Sequence, residues 1–200
     1  MSNLPVSLPA ELEPALVRAI DPTGKVVAAL ASLGPVEGRD VVVIDADGGP
    51  FVDGLRAAGA RLVSAPLGAP LRLGAADGSV DVVIGLWSAF RGVDPADMAE
   101  VDRVLRPEGR LLVVHDYGRD DVSHLLGDRP EYGAWSHRSG PFLTGGFRVR
   151  VVHCFWEFGA MDEATSFLDA AFGAAGSAVA ATLKRPRLSW NVAVYHRTRP

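Results

Sequence analysis

Four short apolar runs, residues 41–44, 61–63, 80–84 and 111–114, are each soon followed by Gly, Asp or Pro, and segments of helical pattern lie between them. Continuous apolar runs of this length fit strands buried on both faces, because a strand with one wet face would alternate. The helical segments run from Pro50 to a stop at Gly59, and from Asp94-Pro95 to about Leu105 ahead of Gly109. Strand alternating with helix implies parallel pairing through right-handed crossovers. The expected fold is α/β, a doubly wound, mostly parallel sheet with helices on both faces. In such open sheets ligands sit outside the carboxyl ends of the strands, so the residues just after each run are the first candidates for function.

Before the first run, Ser7 and Pro9 suit the start of a helix with Leu12, Leu16 and Ile20 on one face. Asp21-Pro22 opens a second helix carrying Val26, Val27, Leu30 and Leu33, which stops at Gly34-Pro35. After the fourth run, Phe147, Val149 and Val151 alternate with Arg148 and Arg150, and Trp190, Val192 and Val194 alternate with polar or small neighbours. These predict two further strands nearer a sheet edge. Between them, Phe167, Leu168, Ala171 and Phe172 give a helical face, and the Ala- and Gly-rich stretch 170–183 reads as a packed helix pair. Residues 127–146 read as one long irregular segment. The expected organisation is a single domain over 1–200, with N-terminal helices over 1–38 and a sheet core over 39–200.

Composition narrows the function. Of 200 residues 48% are apolar, enough for one sizeable core and too little chain for two ordinary domains. A net charge of −4 gives no electrostatic basis for binding nucleic acid. The single Cys154 has no disulfide partner within the chain and sits in an apolar run, which fits a core residue in a reducing compartment. The first residues lack a basic stretch followed by an apolar one, and no segment reaches the ~20 strongly apolar residues of a membrane span. A cytoplasmic protein with a small-molecule partner is expected.

The run Asp-Gly-Ser-Val-Asp-Val-Val-Ile-Gly-Leu-Trp ending at Trp87, followed by Arg-Val-Leu-Arg-Pro-Glu-Gly-Arg-Leu-Leu-Val-Val ending at Val114, resembles the fourth and fifth strands of class I S-adenosylmethionine (SAM)-dependent methyltransferases of the type 11-like group. The resemblance extends more weakly from about Pro35 to the C-terminus. It implies a seven-stranded sheet with the last strand antiparallel, SAM as cofactor, and methyl transfer to a small molecule. The family's glycine-rich loop after its first strand corresponds to Asp45-Ala46-Asp47-Gly48-Gly49-Pro50-Phe51. Asp45 and Gly49 match it, while Asp47 and Phe51 stand at glycine positions. Pro66 occupies the place of the family's ribose-binding acid, and Ala69 that of the acid near adenine. Hydrogen bonds to charged groups contribute about 1.5–3 kcal/mol each, so losing two weakens binding about 10²- to 10⁴-fold unless other residues compensate. Asp47 is one candidate compensation, facing the cofactor's cationic end.

The candidates group by strand. After the first run come Asp45, Asp47, Gly48 and Gly49 for the cofactor, or equally a capped helix start. After the third come Gly85 and Trp87 for the cofactor and Arg91 for the acceptor, with a core role for Trp87 as the alternative. After the fourth comes the densest polar cluster, His115-Asp116-Tyr117-Gly118-Arg119-Asp120-Asp121, with His124 close behind. His115 or Asp116 could serve as a base and Tyr117 could orient an acceptor. The alternatives are a charged loop with a helix-capping Asp120, or a divalent-metal site, for which no specific signature is met. Trp135, His137 and Arg138 could wall the acceptor from the long segment. No Gly-x-Gly-x-x-Gly follows the first run, which disfavours a dinucleotide dehydrogenase. A non-catalytic descendant that keeps the fold as a binding module is the second functional expectation.

Overall fold

The computed structural model describes residues 4–199. Its sheet has six strands: β1 (Asp40–Ile44), β2 (Arg61–Ala65), β3 (Val80–Leu86), β4 (Leu105–Asp116), β5 (Arg148–Glu157) and β6 (Arg187–Thr198), in the spatial order β2-β1-β3-β4-β6-β5. β2, β1, β3 and β4 pair in parallel, and β6 runs antiparallel to both β4 and β5. Alternate residues feed opposite cores. Val41, Val43, Ile84, Leu112 and Val194 face one side, and Val42, Ile44, Val83, Leu111 and Ala193 the other.

Helices cover both faces. On the first lie α1 (Glu13–Ala19), α2 (Lys25–Leu33), α3 (Pro50–Ala57), the short α5 (Asp121–Leu125) and α8 (Met161–Ala180). On the second lie α4 (Pro95–Val104), α6 (Pro130–Ser136) and α7 (Pro141–Thr144). Asp21 starts α2 as the sequence suggests, its carboxylate accepting from the N–H groups of Lys25 and Val26 at 3.0 and 2.7 Å. The expected helix pair near 170–183 is α8 bent at Gly173, whose φ of 55° only glycine takes easily. Cys154 is buried in β5. Among the described residues no helix is long and apolar enough to cross a membrane.

Two expectations are corrected. The sheet has six strands, not seven: residues 66–79 form neither strand nor helix, because Pro66, Pro70, Gly68, Gly74 and Gly78 break both patterns. This segment is instead tied to α4, with the N–H groups of Leu71 and Leu73 donating to Asp97 and Glu100 at 3.2 and 2.9 Å. Arg103 holds Glu100 and pulls its carboxyl down to about 2. β2 is therefore left as an edge, with Val63 62% exposed. Second, 127–146 is not wholly irregular, since it contains α6 and α7. The two C-terminal strands lie toward a sheet edge as expected, β5 outermost and β6 between it and β4.

Candidate functional site

The carboxyl ends of β1, β3 and β4 meet in two different environments. After β1 the chain turns at Asp45, with φ 56°, its N–H bonded to the Ala65 carbonyl at 2.7 Å. Asp45 and Asp47 are exposed. A Cβ at Gly48 would meet nothing within 4 Å, and Gly49 caps α3 with φ 97° and ψ 170°, a conformation essentially confined to glycine. Pro50 then fixes the first turn of α3 and sends Phe51 inward. Its ring lies 4.9 Å from Trp87 and 6.4 Å from Trp190, and Trp87 stacks on Trp190 at 5.7 Å with 18° between planes. The three rings fill the space beside the β1 loop.

Trp87 follows β3 with φ 53°, and Phe90 has φ 55°. For bulky residues such left-handed backbone is strained, by about 1–3 kcal/mol each. The bend folds this loop back on β3, and Gly85 gives it room: a Cβ there would come within 3.0 Å of the Phe90 ring and 3.2 Å of Ala89. Gly85 thus serves close packing within the sheet edge.

The β4 end is polar. Asp116 is buried, its Oδ1 accepting from Trp190 Nε1 at 2.9 Å and its Oδ2 from Tyr132 Oη at 3.1 Å. Burial raises its carboxyl above the usual range, and the two donors pull in the opposite direction. The Trp87 indole also faces this carboxyl and pulls it down. His115 is also buried, with Nε2 3.1 Å from the Phe90 carbonyl and its ring 4.6 Å from Trp135. Burial lowers it to about 4, so it is neutral at pH 7. The carbonyl partner places the proton on Nε2.

Asp116, His115, Tyr132 and Trp135 line a cavity of about 170 Å³ together with Trp87 and Arg91. Arg91 lies over the Trp135 ring at 5.4 Å and pairs with Glu131 at 3.0 Å. The sequence candidates His115, Asp116, Trp87, Arg91 and Trp135 are brought together here. Others are not. Tyr117 packs half-buried beside the second core, with Arg119 over its ring. His137 and Arg138 are exposed on the turn after α6, where His137 pairs with Ser139 at 2.8 Å. Asp120 caps α5 and Asp121 holds Ser189, both stitching the loop to β6. Among the described residues no three His, Cys, Asp or Glu side chains converge as metal ligands. Sequence reasoning missed Tyr132, Trp190 and Arg129, the last of which lines the same cavity. Tyr132 stands three residues before Trp135 just after a helix-opening Pro130, a spacing that places both on one helix face.

No family model matches the chain, and no curated protein matches it. Solved structures do. A provisionally described methyltransferase from an antibiotic biosynthesis pathway of Anabaena variabilis is 13% identical, with TM-score 0.56, over 91% of this chain and 99% of that one. A provisionally described type II methyltransferase from Anaeromyxobacter dehalogenans is 19% identical, with TM-score 0.53, over 86% and 96%. The MccD protein is 12% identical, with TM-score 0.52, over 89% and 99%. The likeness is one of fold: the sheet and its flanking helices are arranged as in class I methyltransferases.

Proposed function

We propose that this chain, built on a methyltransferase fold, uses SAM to methylate a small molecule held in the cavity beside His115, Asp116 and Trp135. The observation that carries this reading is the cavity itself, which opens at the carboxyl ends of β3 and β4 and contains a buried, doubly held carboxylate. In-line methyl transfer asks the protein mainly to position the acceptor, and to take a proton where the acceptor must lose one. Asp116 has the chemistry of that base, because burial makes its carboxylate a stronger proton acceptor while Trp190 and Tyr132 fix its direction. His115, neutral and anchored to Phe90, walls the site without adding charge.

SAM, when bound, supplies an electrophilic methyl group on a sulfonium. The residues present fit it in part. Open space at Gly48 and the glycine-only backbone of Gly49 suit close approach of a cofactor to the β1 loop. Phe51 and Trp87 do not, since their rings pack against each other at 4.9 Å beside that loop. On this reading Trp87 swings aside to admit the cofactor.

That stack favours a second reading, a non-catalytic binding module that keeps the cavity and has closed the cofactor cleft. Isothermal titration with SAM separates them. Saturable binding, lost in Gly49→Val, is the outcome expected of the enzyme. The absence of heat up to several times about 10 mM, the weak limit set by two missing charged contacts, would overturn it and leave the module.

A further inference from the structure

We propose that the face of β4, β6 and β5 carrying Arg110, Arg148, Arg150 and His196 is a binding site for a short chain of phosphates. It lies apart from the cavity described above, because Arg110 precedes Asp116 on β4 by six residues, about 20 Å of extended strand. Binding there depends neither on SAM nor on an acceptor.

The register assembles the site. Residues opposite one another in a strand pair point to the same side of the sheet, as do residues two apart along one strand. Leu112 lies opposite His196, and His196 opposite Arg148; Arg110 lies opposite Thr198, and Arg150 opposite Val194. Leu112 and Val194 belong to the first core, so the three arginines and the histidine share that face. Contacts with the end of α2 agree: Arg150 donates to Ser32 Oγ at 2.9 Å, and a Cβ at Gly34 would lie 3.5 Å from that of Arg110. Since β6 separates β4 from β5, the Arg110 and Arg148 backbones stand two strand spacings apart, about 10 Å.

No carboxylate holds these cations. Among the described residues Arg148 is exposed and makes no hydrogen bond or ion pair, while Arg110 and Arg150 bond only the hydroxyls of Thr198 and Ser32. His196 sits half-buried on the central strand; burial and then the charges of Arg110, Arg148 and Arg150 lower its pKa, and no acid acts against them. Arg39 and Arg106, in the neighbouring cavity of about 330 Å³, are held by Asp81 and Asp40 and add nothing. Glu108 lines that cavity with Arg110 and opposes an anion. Even with Glu108 set against one arginine, two of the three guanidinium charges remain to be met, in a chain whose net charge is −4. A carboxylate brings too little charge for them and a single phosphate too little length. A chain of phosphates brings both, and its oxygens match the fork of a guanidinium.

The test titrates the full chain, without SAM and at low ionic strength, with tripolyphosphate, inorganic phosphate, acetate and ATP by calorimetry, and follows the His196 ring by NMR. Tripolyphosphate is expected to bind saturably and at least about tenfold more tightly than phosphate or acetate. It should also raise the His196 pKa, because a bound anion offsets the arginine charges. Arg148→Gln, a change at an exposed side chain, should weaken tripolyphosphate about tenfold, whereas Arg187→Gln, at the other end of β6, should leave it unchanged. ATP that binds as tightly as tripolyphosphate supports recognition of the phosphates alone, and tighter ATP supports a nucleotide as their carrier. No saturable binding up to about 1 mM, an Arg148→Gln variant that binds normally, or a His196 titration unmoved by tripolyphosphate would each overturn the proposal. A single-stranded oligonucleotide that outbinds tripolyphosphate at equal phosphate content would overturn it in favour of nucleic acid.

Discussion

The β1 loop and the β4 end lie at the same carboxyl ends of the sheet with β3 between them, yet they are held by opposite means. Beside β1, apolar rings from Phe51, Trp87 and Trp190 close on one another. Beside β4, a carboxylate and an imidazole are buried and each is given directed partners. Apolar stacking tolerates rearrangement, because it has no direction to lose; a buried carboxylate does not, because each lost donor leaves an unmet charge. The contrast is between packing without direction in the first region and directed hydrogen bonds in the second. Trp190 belongs to both, stacking on Trp87 with its face and donating to Asp116 with its edge.

Removing that shared residue should have the largest effect. Trp190→Ala is expected to cost about 3–5 kcal/mol in urea unfolding, from cavity formation alone, whereas Trp190→Phe isolates the hydrogen bond to Asp116 and should cost less. If the two variants were equally unstable, the polar half of the contrast would be the dominant one. Phe51→Ala should also lower stability, and by opening the space beside Gly49 it should tighten SAM; unchanged SAM binding would show that the stack is not the obstacle. Gly49→Ala forces a side chain into a backbone region reserved for glycine and should cost on the order of 1–3 kcal/mol, read as a lower urea midpoint.

The smallest effect at neutral pH concerns His115. Its folded pKa of about 4 lies below the ordinary 6.5, so the unfolded chain binds more protons between those values. Stability from this group is therefore complete above about pH 6.5 and is lost as pH falls toward 4. Asp116, raised by burial, works in the other direction, contributing most below its ordinary value and less as pH rises. In His115→Phe the fall in Tm between pH 6.5 and 4 should flatten; an unaltered slope would move the acid sensitivity elsewhere.

The parallel strands were legible because burial on both faces leaves unbroken apolar runs, and helix boundaries were legible where Asp, Pro and Gly mark them. The two C-terminal strands were legible as lying toward an edge, but which of them is outermost was not. Ser189 and Asn191 bond Asp121 and Asp120 of the loop after β4, so the polar residues of β6 are met by carboxylates distant in sequence. His115 and Asp116 were found because position after a buried run is a local signal. Tyr132 and Arg129 were not, since they reach the cavity from a segment whose two short helices give little periodicity to read.

The unfinished side of the sheet has its own consequence. Arg61 and Ala65 turn their backbone groups toward β1 and its flanks, which leaves those of Leu62 and Ser64 pointing outward, by the alternation of a parallel pair. This ladder has only two free rungs. Arg61, reaching back to Asp40 at 2.8 Å, stands at one end and Pro66 follows the other, so a second extended chain finds no register long enough to settle in. The sheet ends there by brevity, charge and proline, without a covering strand.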